Sequence, residues 1–447
     1  MPDRYFERSI DLPVSADAAF AWHALPGALE RLLPPWDDVR VLRRSGGIED
    51  GTQVELKMRL GPISVRWLAE HRDVDPPRRF RDIALRGPFP HWDHLHLFEP
   101  TGTNACRLTD RIAFRTPGGT LGRMLAGGTI TGKLERVFRY RQTTTRNDLA
   151  MHAPYFGRPR LKVAISGSSG LIGGTLWNVL ATGGHEVVPL KRGPENRIDV
   201  APADGADAVI HLAGENIASG RWNDERRRRI RDSRVQVTNW LCDDLLALDS
   251  PPHSLLSASA VGFYGNRDDE RLDEHSARGD GFLADVCVGW ETATHSARAA
   301  GMRVANLRFG PVLSPADGPL SAMLPAFKLG AGGRVGSGKQ QMSWVAIDDA
   351  VGAIHHVLMH DNLTGPVNVV APEPVCNADF ARTLARVLSR PAMMSLPAAG
   401  ARLALGQMAD ELLLASQRVS PSVLDESGYQ FRHATLEAAL RHLLGRE

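Results

Sequence analysis

Residues 160–188, RLKVAISGSSGLIGGTLWNVLATGGHEVV, hold three glycines in a GxxGxxG spacing: Gly167, Gly170 and Gly173. They follow an apolar strand, LKVAIS, and open a helical stretch. A dinucleotide pyrophosphate needs that context, because the first glycine allows a tight turn, the second a close approach of backbone to phosphate, and the third a close packing of helix on strand. Ser168, Ser169, Leu171 and Ile172 complete the loop, and the N–H groups at the start of the helix would face the phosphates. The chain from Leu161 therefore reads as a Rossmann-type domain for NAD(P). Its second strand, HEVVPLKR, ends on Lys191 and Arg192, where an acidic residue would otherwise take the ribose hydroxyls. A basic pair suits a 2′-phosphate, which points to NADP(H). Asp199 and Val200 are expected near the adenine, and DAVIHLAGEN ends in a small-residue turn at Ala213 and Gly214 that would pass beneath the cofactor.

Those residues need a sheet to carry them. The chain has 447 residues, 43% of them hydrophobic, enough for two or three domains with full cores. Its 53 basic and 51 acidic residues nearly cancel, so charge gives no reason to expect a nucleic-acid partner. The segment HAPYFGRP marks the main boundary, which suggests a domain at 1–152, a linker at 153–160 and a second region from Leu161 onward. After the linker the pattern of strand, glycine-rich turn, helix and strand repeats, as in a doubly wound parallel sheet. Before it, YFERSIDL reads as a strand and PVSADAAFAWHAL as a short helix capped by Ser15. Five β-like runs then lead to a helix over about Leu121–Asn147, an α+β order. His91, His94 and His96 lie on one of those runs. Alternation puts His94 and His96 on one face and His91 on the other, so no three-ligand metal site follows from the spacing, and they read as surface or cavity-lining residues. Cys106, Cys242, Cys287 and Cys376 are too far apart for a zinc motif or a disulfide framework. No metal is expected. No run is apolar enough to span a membrane, and a cytoplasmic location is expected.

From about Leu161 onward the sequence resembles the atypical extended short-chain dehydrogenase/reductases of the nucleoside-diphosphate-sugar epimerase-like family. The segments SGSSGLIG, HLAGENIASGRWND, SASAVGFYG, NLRFGPVLSP, GGRVGSGKQQMSWVAIDD and GPVNVVAPEPVCNADFA carry the resemblance together. From about Ser395, through LLLASQRVSPSVLDESGYQF, the chain resembles the small C-terminal domain of unknown function that accompanies this family, which implies domains at 161–394 and 395–447. The order of elements in the first 150 residues is similar to the START-like helix-grip fold, which implies an apolar cavity and a ligand for it. The family resemblance implies that Arg192 binds the 2′-phosphate, that Leu212, Ala213, Gly214 and Glu215 line the cofactor, and that Arg234 contacts it. It also places Ser259 at the position of a substrate-bonding serine and Tyr264 at the border of the substrate.

One departure stands out. The wider superfamily works through Tyr-x-x-x-Lys on one helix, whose ammonium lowers the phenol pKa. Here Leu283 and Cys287 fall at those positions, and residues 270–300 contain neither Tyr nor Lys. Tyr264, Asp285 or a substrate group would have to move the proton, and Cys287 reads as packing. Lys339, Gln340 and Gln341 sit in a glycine-rich loop that borders the substrate cleft in the resembling family. Three functions follow as expectations. They are an NADP-dependent oxidoreductase or epimerase-like enzyme on a small molecule, a non-catalytic NADPH-binding sensor, and a carrier of an apolar ligand in the N-terminal domain.

Overall fold

The computed structural model describes residues 4–117 and 119–446, with the side chains of Leu60 and 119–127 left aside. The chain divides into two compact units. One is Met1–Pro159, with which Asn178–Gly184 groups; the other is Arg160–Trp177 with His185–Arg446.

In the first unit β1 (Arg4–Leu12) leads into α1 (Ala16–Ala24) and α2 (Ala28–Arg31). Ser15 caps α1, its hydroxyl accepting from Ala18 N at 3.2 Å. Then come β2 (Val39–Arg44), β3 (Gln53–Leu60), β4 (Ile63–Asp75), β5 (Arg79–Arg86), β6 (His91–Gly102), β7 (Ala105–Arg115) and the long α3 (Gly119–His152). The strands form one seven-stranded antiparallel sheet in the order β1-β7-β6-β5-β4-β3-β2. β6 alternates strictly, burying Trp92, His94, His96 and Phe98, as a sheet with one covered face requires. Leu134 and Phe138 of α3 pack with Phe6, Trp92, Ile112 and Phe114, and Leu149 joins a second cluster around α1. β2 was not expected from the sequence. It is an edge strand whose Arg40, Leu42, Arg43 and Arg44 are exposed, so it lacks the apolar alternation by which its neighbours are read. A cavity of about 450 Å³ opens between the sheet and α3, lined by apolar side chains and, at one end, by His71, Asp82, His94, His96 and Arg141.

The second unit begins with β8 (Lys162–Ser166), α4 (Leu171–Thr182), β9 (Glu186–Leu190) and β10 (Ala208–His211). It continues with α5 (Asp224–Asp232), α6 (Val235–Leu246), β11 (Ser254–Ala260) and α7 (Phe282–Thr292). Strands Arg303–Phe309 and Gly365–Val369 complete a six-stranded sheet. Taken by their order along the chain these strands lie as 2-1-3-4-5-6, all parallel. The chain therefore reverses direction across the sheet at β8 and β10, and ligands in such sheets bind at the carboxyl ends of the strands flanking that reversal. The fold is a Rossmann-type parallel sheet preceded by a START-like antiparallel one. No helix among the described residues is long and apolar enough to cross a membrane.

Candidate nucleotide-binding site

The glycine loop lies between β8 and α4, and each glycine does different work. Gly167 has φ +75°, a conformation L side chains rarely adopt. A β-carbon there would stand 2.9 Å from Ala213 N and from Leu212 C, so the loop after β8 lies directly against the turn after β10. On Gly173 it would run into the Gly167 carbonyl oxygen and lie 2.9 Å from Ser168 Cα. On Gly170 it would meet nothing within 4 Å but Gly167 O, at 3.3 Å, and this is where backbone and phosphate need open space. Gly170 N donates to Gly167 O at 3.0 Å, closing the turn, while Ser169 and Gly170 are exposed and Ser168, Leu171 and Ile172 half-buried. A cradle that only glycine fits, ending on a helix N-terminus, suits a pyrophosphate.

Beyond β9 the chain makes a small hairpin. Arg192 bridges Ile198, and Asp199 N donates to Lys191 O at 2.9 Å. Lys191, Arg192 and Asp199 are exposed and Val200 half-buried. The Arg192 guanidinium donates to Asn196 Oδ1 at 2.5 Å, which holds the side chain out from the strand end.

The turn after β10 is braced from behind. Arg234 Nη2 donates to Glu215 O at 3.0 Å and Nη1 to Ile230 O at 3.1 Å, and the guanidinium lies 5.1 Å from the Trp290 ring centre. Glu215 N donates to Ser233 Oγ at 3.1 Å, and its carboxylate takes Arg226 at 2.6 Å. Leu212 and Ala213 are half-buried and Gly214 is exposed. Glu215 and Arg234 thus already have protein partners, and both fix the shape of the turn.

Sequence reasoning missed His211, which ties these strand ends together. Its Nδ1 lies 2.6 Å from Ser166 Oγ and its Nε2 3.0 Å from Thr238 Oγ1, with no exposure. Burial first, and then the charge of Arg192, pull its pKa down to about 4, so it is neutral at physiological pH. The one signal in the sequence was a histidine ending an otherwise apolar strand.

At the end of β11, Ser259 Oγ donates to Glu291 Oε1 at 2.7 Å, and Glu291 holds Arg308 through two contacts of 2.8 Å. Arg308 Nη1 donates to Tyr264 OH at 2.9 Å, and that hydroxyl donates to Asn368 Oδ1 at 2.7 Å. Tyr264 has no exposure, and burial pushes its phenol up to about 12. Both hydroxyls are committed within one buried cluster. On α7, Leu283 and Cys287 share the face toward Gly262, where a β-carbon would meet them at 3.3 and 3.6 Å. Burial raises the Cys287 thiol to about 12, so it is an inert packing residue. Asp285 is exposed and paired with Arg278 at 2.6 Å.

The C-terminal region reaches this helix, which the sequence did not disclose. Glu411 accepts from Leu283 N at 2.7 Å and from Phe282 N at 3.2 Å, capping α7 at the turn where the superfamily's tyrosine would stand. It lies in a π-helical turn, Ala409–Leu414. Lys339 is exposed, whereas Gln340 is buried and donates to Val335 O and Leu413 O at 3.0 and 2.8 Å.

Comparison with known proteins agrees with this geometry. Residues 163–370 match the NAD dependent epimerase/dehydratase family, 396–443 a domain of unknown function, and 12–137 the polyketide cyclase / dehydrase and lipid transport family. An epimerase family protein of Mycobacterium tuberculosis is 43% identical over 290 residues, 62% of this chain and 96% of its own length. The chain belongs to the epimerase family. Among epimerase family proteins, human SDR39U1 is 35% identical over 295 residues, 64% of this chain and the whole of its own. A solved nucleoside-diphosphate sugar epimerase from Corynebacterium glutamicum matches 99% of this chain and 90% of its own, with 34% identity and a TM-score of 0.80. The structure of human SDR39U1 with NADPH matches 64% of this chain and 99% of its own, with 33% identity and a TM-score of 0.60. The resemblance to epimerase-like short-chain dehydrogenases with a START-like N-terminal domain therefore holds.

Proposed function

We propose that this epimerase family protein binds NADP(H) and acts as an oxidoreductase or epimerase-like enzyme on a small molecule. The observation that carries the proposal is the glycine cradle after β8, next to a hairpin whose Lys191 and Arg192 extend into solvent at the end of β9. A human relative bound to NADPH supports the choice of nucleotide. In this reading Gly167–Gly173 hold the pyrophosphate, Lys191 and Arg192 the 2′-phosphate, Asp199 and Val200 the adenine end, and Leu212–Glu215 the middle of the cofactor. NADP(H), when bound, supplies reversible hydride transfer with a carbonyl or alcohol carbon. Ser259 and Tyr264, whose hydroxyls are bound to Glu291 and Asn368, would act by fixing the end of β11. Four unbridged cysteines agree with a cytoplasmic setting. The N-terminal cavity is proposed to take an apolar molecule.

Calorimetric titration with NADPH and NADH tests this. NADPH should bind more tightly, Arg192→Ala should weaken NADPH by about tenfold or more while sparing NADH, and Gly170→Asp should abolish both. Equal affinity for the two nucleotides, or an Arg192→Ala variant that binds NADPH normally, rejects the assignment.

A second reading, an NADPH sensor without turnover, is favoured by Leu283 and Cys287 and by the committed hydroxyls of Ser259 and Tyr264. It predicts tight NADPH binding with no oxidation across a panel of aldehydes, ketones and nucleotide sugars. Turnover of any of them rejects it.

A further inference from the structure

The sheet register of the N-terminal unit assembles a cluster that spacing along one strand could not reveal. His71, Asp82 and His94 are direct cross-strand neighbours on β4, β5 and β6, and Phe80, His96 and Asp110 form the adjacent row. Paired residues share a face, so these groups converge on the polar end of the cavity. One nitrogen or oxygen each from Asp82, His94 and His96 lie within 4.8 Å of one another.

We propose that Asp82, His94 and His96 form a mononuclear site for a divalent first-row transition metal, open to the cavity. His96 Nε2 is 3.1 Å and His94 Nδ1 3.8 Å from the same oxygen, Asp82 Oδ2. Ligands held ~2.0–2.1 Å from a tetrahedral ion stand ~3.3 Å apart, between those two values. The opposite ring nitrogens are both turned to one carboxylate: His94 Nε2 is 2.9 Å and His96 Nδ1 3.1 Å from Asp110 Oδ1. Gln142 Nε2 in turn donates to Asp110 Oδ2 at 2.7 Å. For His94 that contact is a hydrogen bond, the support that metal-bound histidines use to fix tautomer and ring orientation, and the same carboxylate stands close behind His96. His71 Nδ1 stands 2.6 Å from the remaining oxygen, Asp82 Oδ1, leaving Asp82 to bind through Oδ2 alone.

Hydrogen bonding by itself leaves the cluster incomplete. His71 Nδ1, Asp82 Oδ1 and His96 Nδ1 are buried and, among the described residues, make no hydrogen bond of acceptable geometry despite those short contacts. The contact between the two facing ligand atoms, His96 Nε2 and Asp82 Oδ2, is itself a hydrogen bond, which a bound ion would replace by coordinating both atoms. Two imidazoles and one carboxylate leave coordination positions free, as in catalytic rather than structural sites. With Asp82 and the Arg141 guanidinium lining this end of the cavity and Asp110 behind the two imidazoles, a divalent ion leaves an excess of positive charge. The remaining ligand is therefore an anionic oxygen, hydroxide or the carboxylate, phenolate or enolate of an apolar molecule filling the cavity.

The test uses the full chain, stripped with chelator and titrated with Co²⁺. The expected result is one equivalent bound with a visible d–d band. Asp82→Asn and His94→Gln should lose the band, and Asp110→Asn should weaken binding by about 10–100-fold. Unchanged NADPH binding and circular dichroism identify variants that have folded. A melting scan of the unmutated chain adds a readout independent of any variant, and Zn²⁺ should raise the Tm of the N-terminal transition relative to chelator. Substoichiometric Co²⁺ without a band, a band that survives in folded Asp82→Asn, or a Tm indifferent to Zn²⁺ overturns the proposal.

Discussion

His211 illustrates how one buried residue can make a nucleotide-binding sheet sensitive to acid. It is neutral in the fold, with a pKa pulled down to about 4 by burial and by Arg192. In the unfolded chain its pKa is about 6.5. Below that value the unfolded chain takes a proton that the folded chain refuses, so the stability from this group is intact above pH 6.5 and is lost as pH falls toward 4. The loss is on the order of 3 kcal/mol by pH 4. Urea unfolding between pH 7 and 4, followed by hydrogen exchange of β8 and β10, should show a slope about one proton shallower in His211→Asn than in the unmutated chain. Identical slopes would mean that His211 is already charged in the fold. At this same scale the sequence was most and least informative. Gly167 and Gly173 could be read because a side chain there would strain the backbone or strike the loop, and Gly170 because it leaves open space where a phosphate would approach. Glu411 and His211 could not, because their partners are 128 and 45 residues away along the chain and leave no spacing to detect.

Among the elements, the β8–α4 junction is the most tightly determined. A β-carbon on Gly173 would enter the space of the Gly167 carbonyl, whereas one on Gly174, the next residue of the same helix, would reach Ser168 O only at 3.4 Å, an ordinary contact. Two neighbouring Gly→Ala changes therefore separate loop geometry from helix propensity, which favours alanine at both. Gly173→Ala must push the loop outward at a cost of about 1–3 kcal/mol, which should weaken NADPH by about tenfold or more. Gly174→Ala should bind NADPH normally and melt at the same temperature or higher. Equal titrations for the two variants would show that the loop is not where the nucleotide sits. The antiparallel sheet was legible for a related reason, since β3 to β7 carry enough alternation and turn residues to be seen one by one. β2 escaped because an exposed edge strand need not alternate. The polar end of the cavity escaped because it is a property of register: His71, Asp82 and His94 are adjacent only once three strands are paired.

At the scale of the molecule, these relatives correspond to only part of the chain. Human SDR39U1 is matched over 99% of its length by 64% of this chain, and the Mycobacterium tuberculosis relative over 96% by 62%. The epimerase and C-terminal matches fall within residues 163–443. Those two regions are not separable from each other: Glu411 caps α7, strand residues Arg418–Val419 pair with Arg271–Leu272, and Ser343 Oγ donates to Gln417 O at 2.8 Å. A chain of residues 160–447 should therefore fold, with NADPH affinity within about a factor of three of the full chain, less than 1 kcal/mol. A chain cut after residue 395 should lose the cap on α7 and the strand pairing together, exposing Leu272, which is fully buried. Calorimetry on both fragments decides the matter. If 160–447 folds by circular dichroism and fails to bind, residues 160–447 do not suffice for the nucleotide site. If instead 160–395 binds as well as 160–447, the C-terminal region has no part in forming that site, and the cap on α7 serves something other than the cofactor.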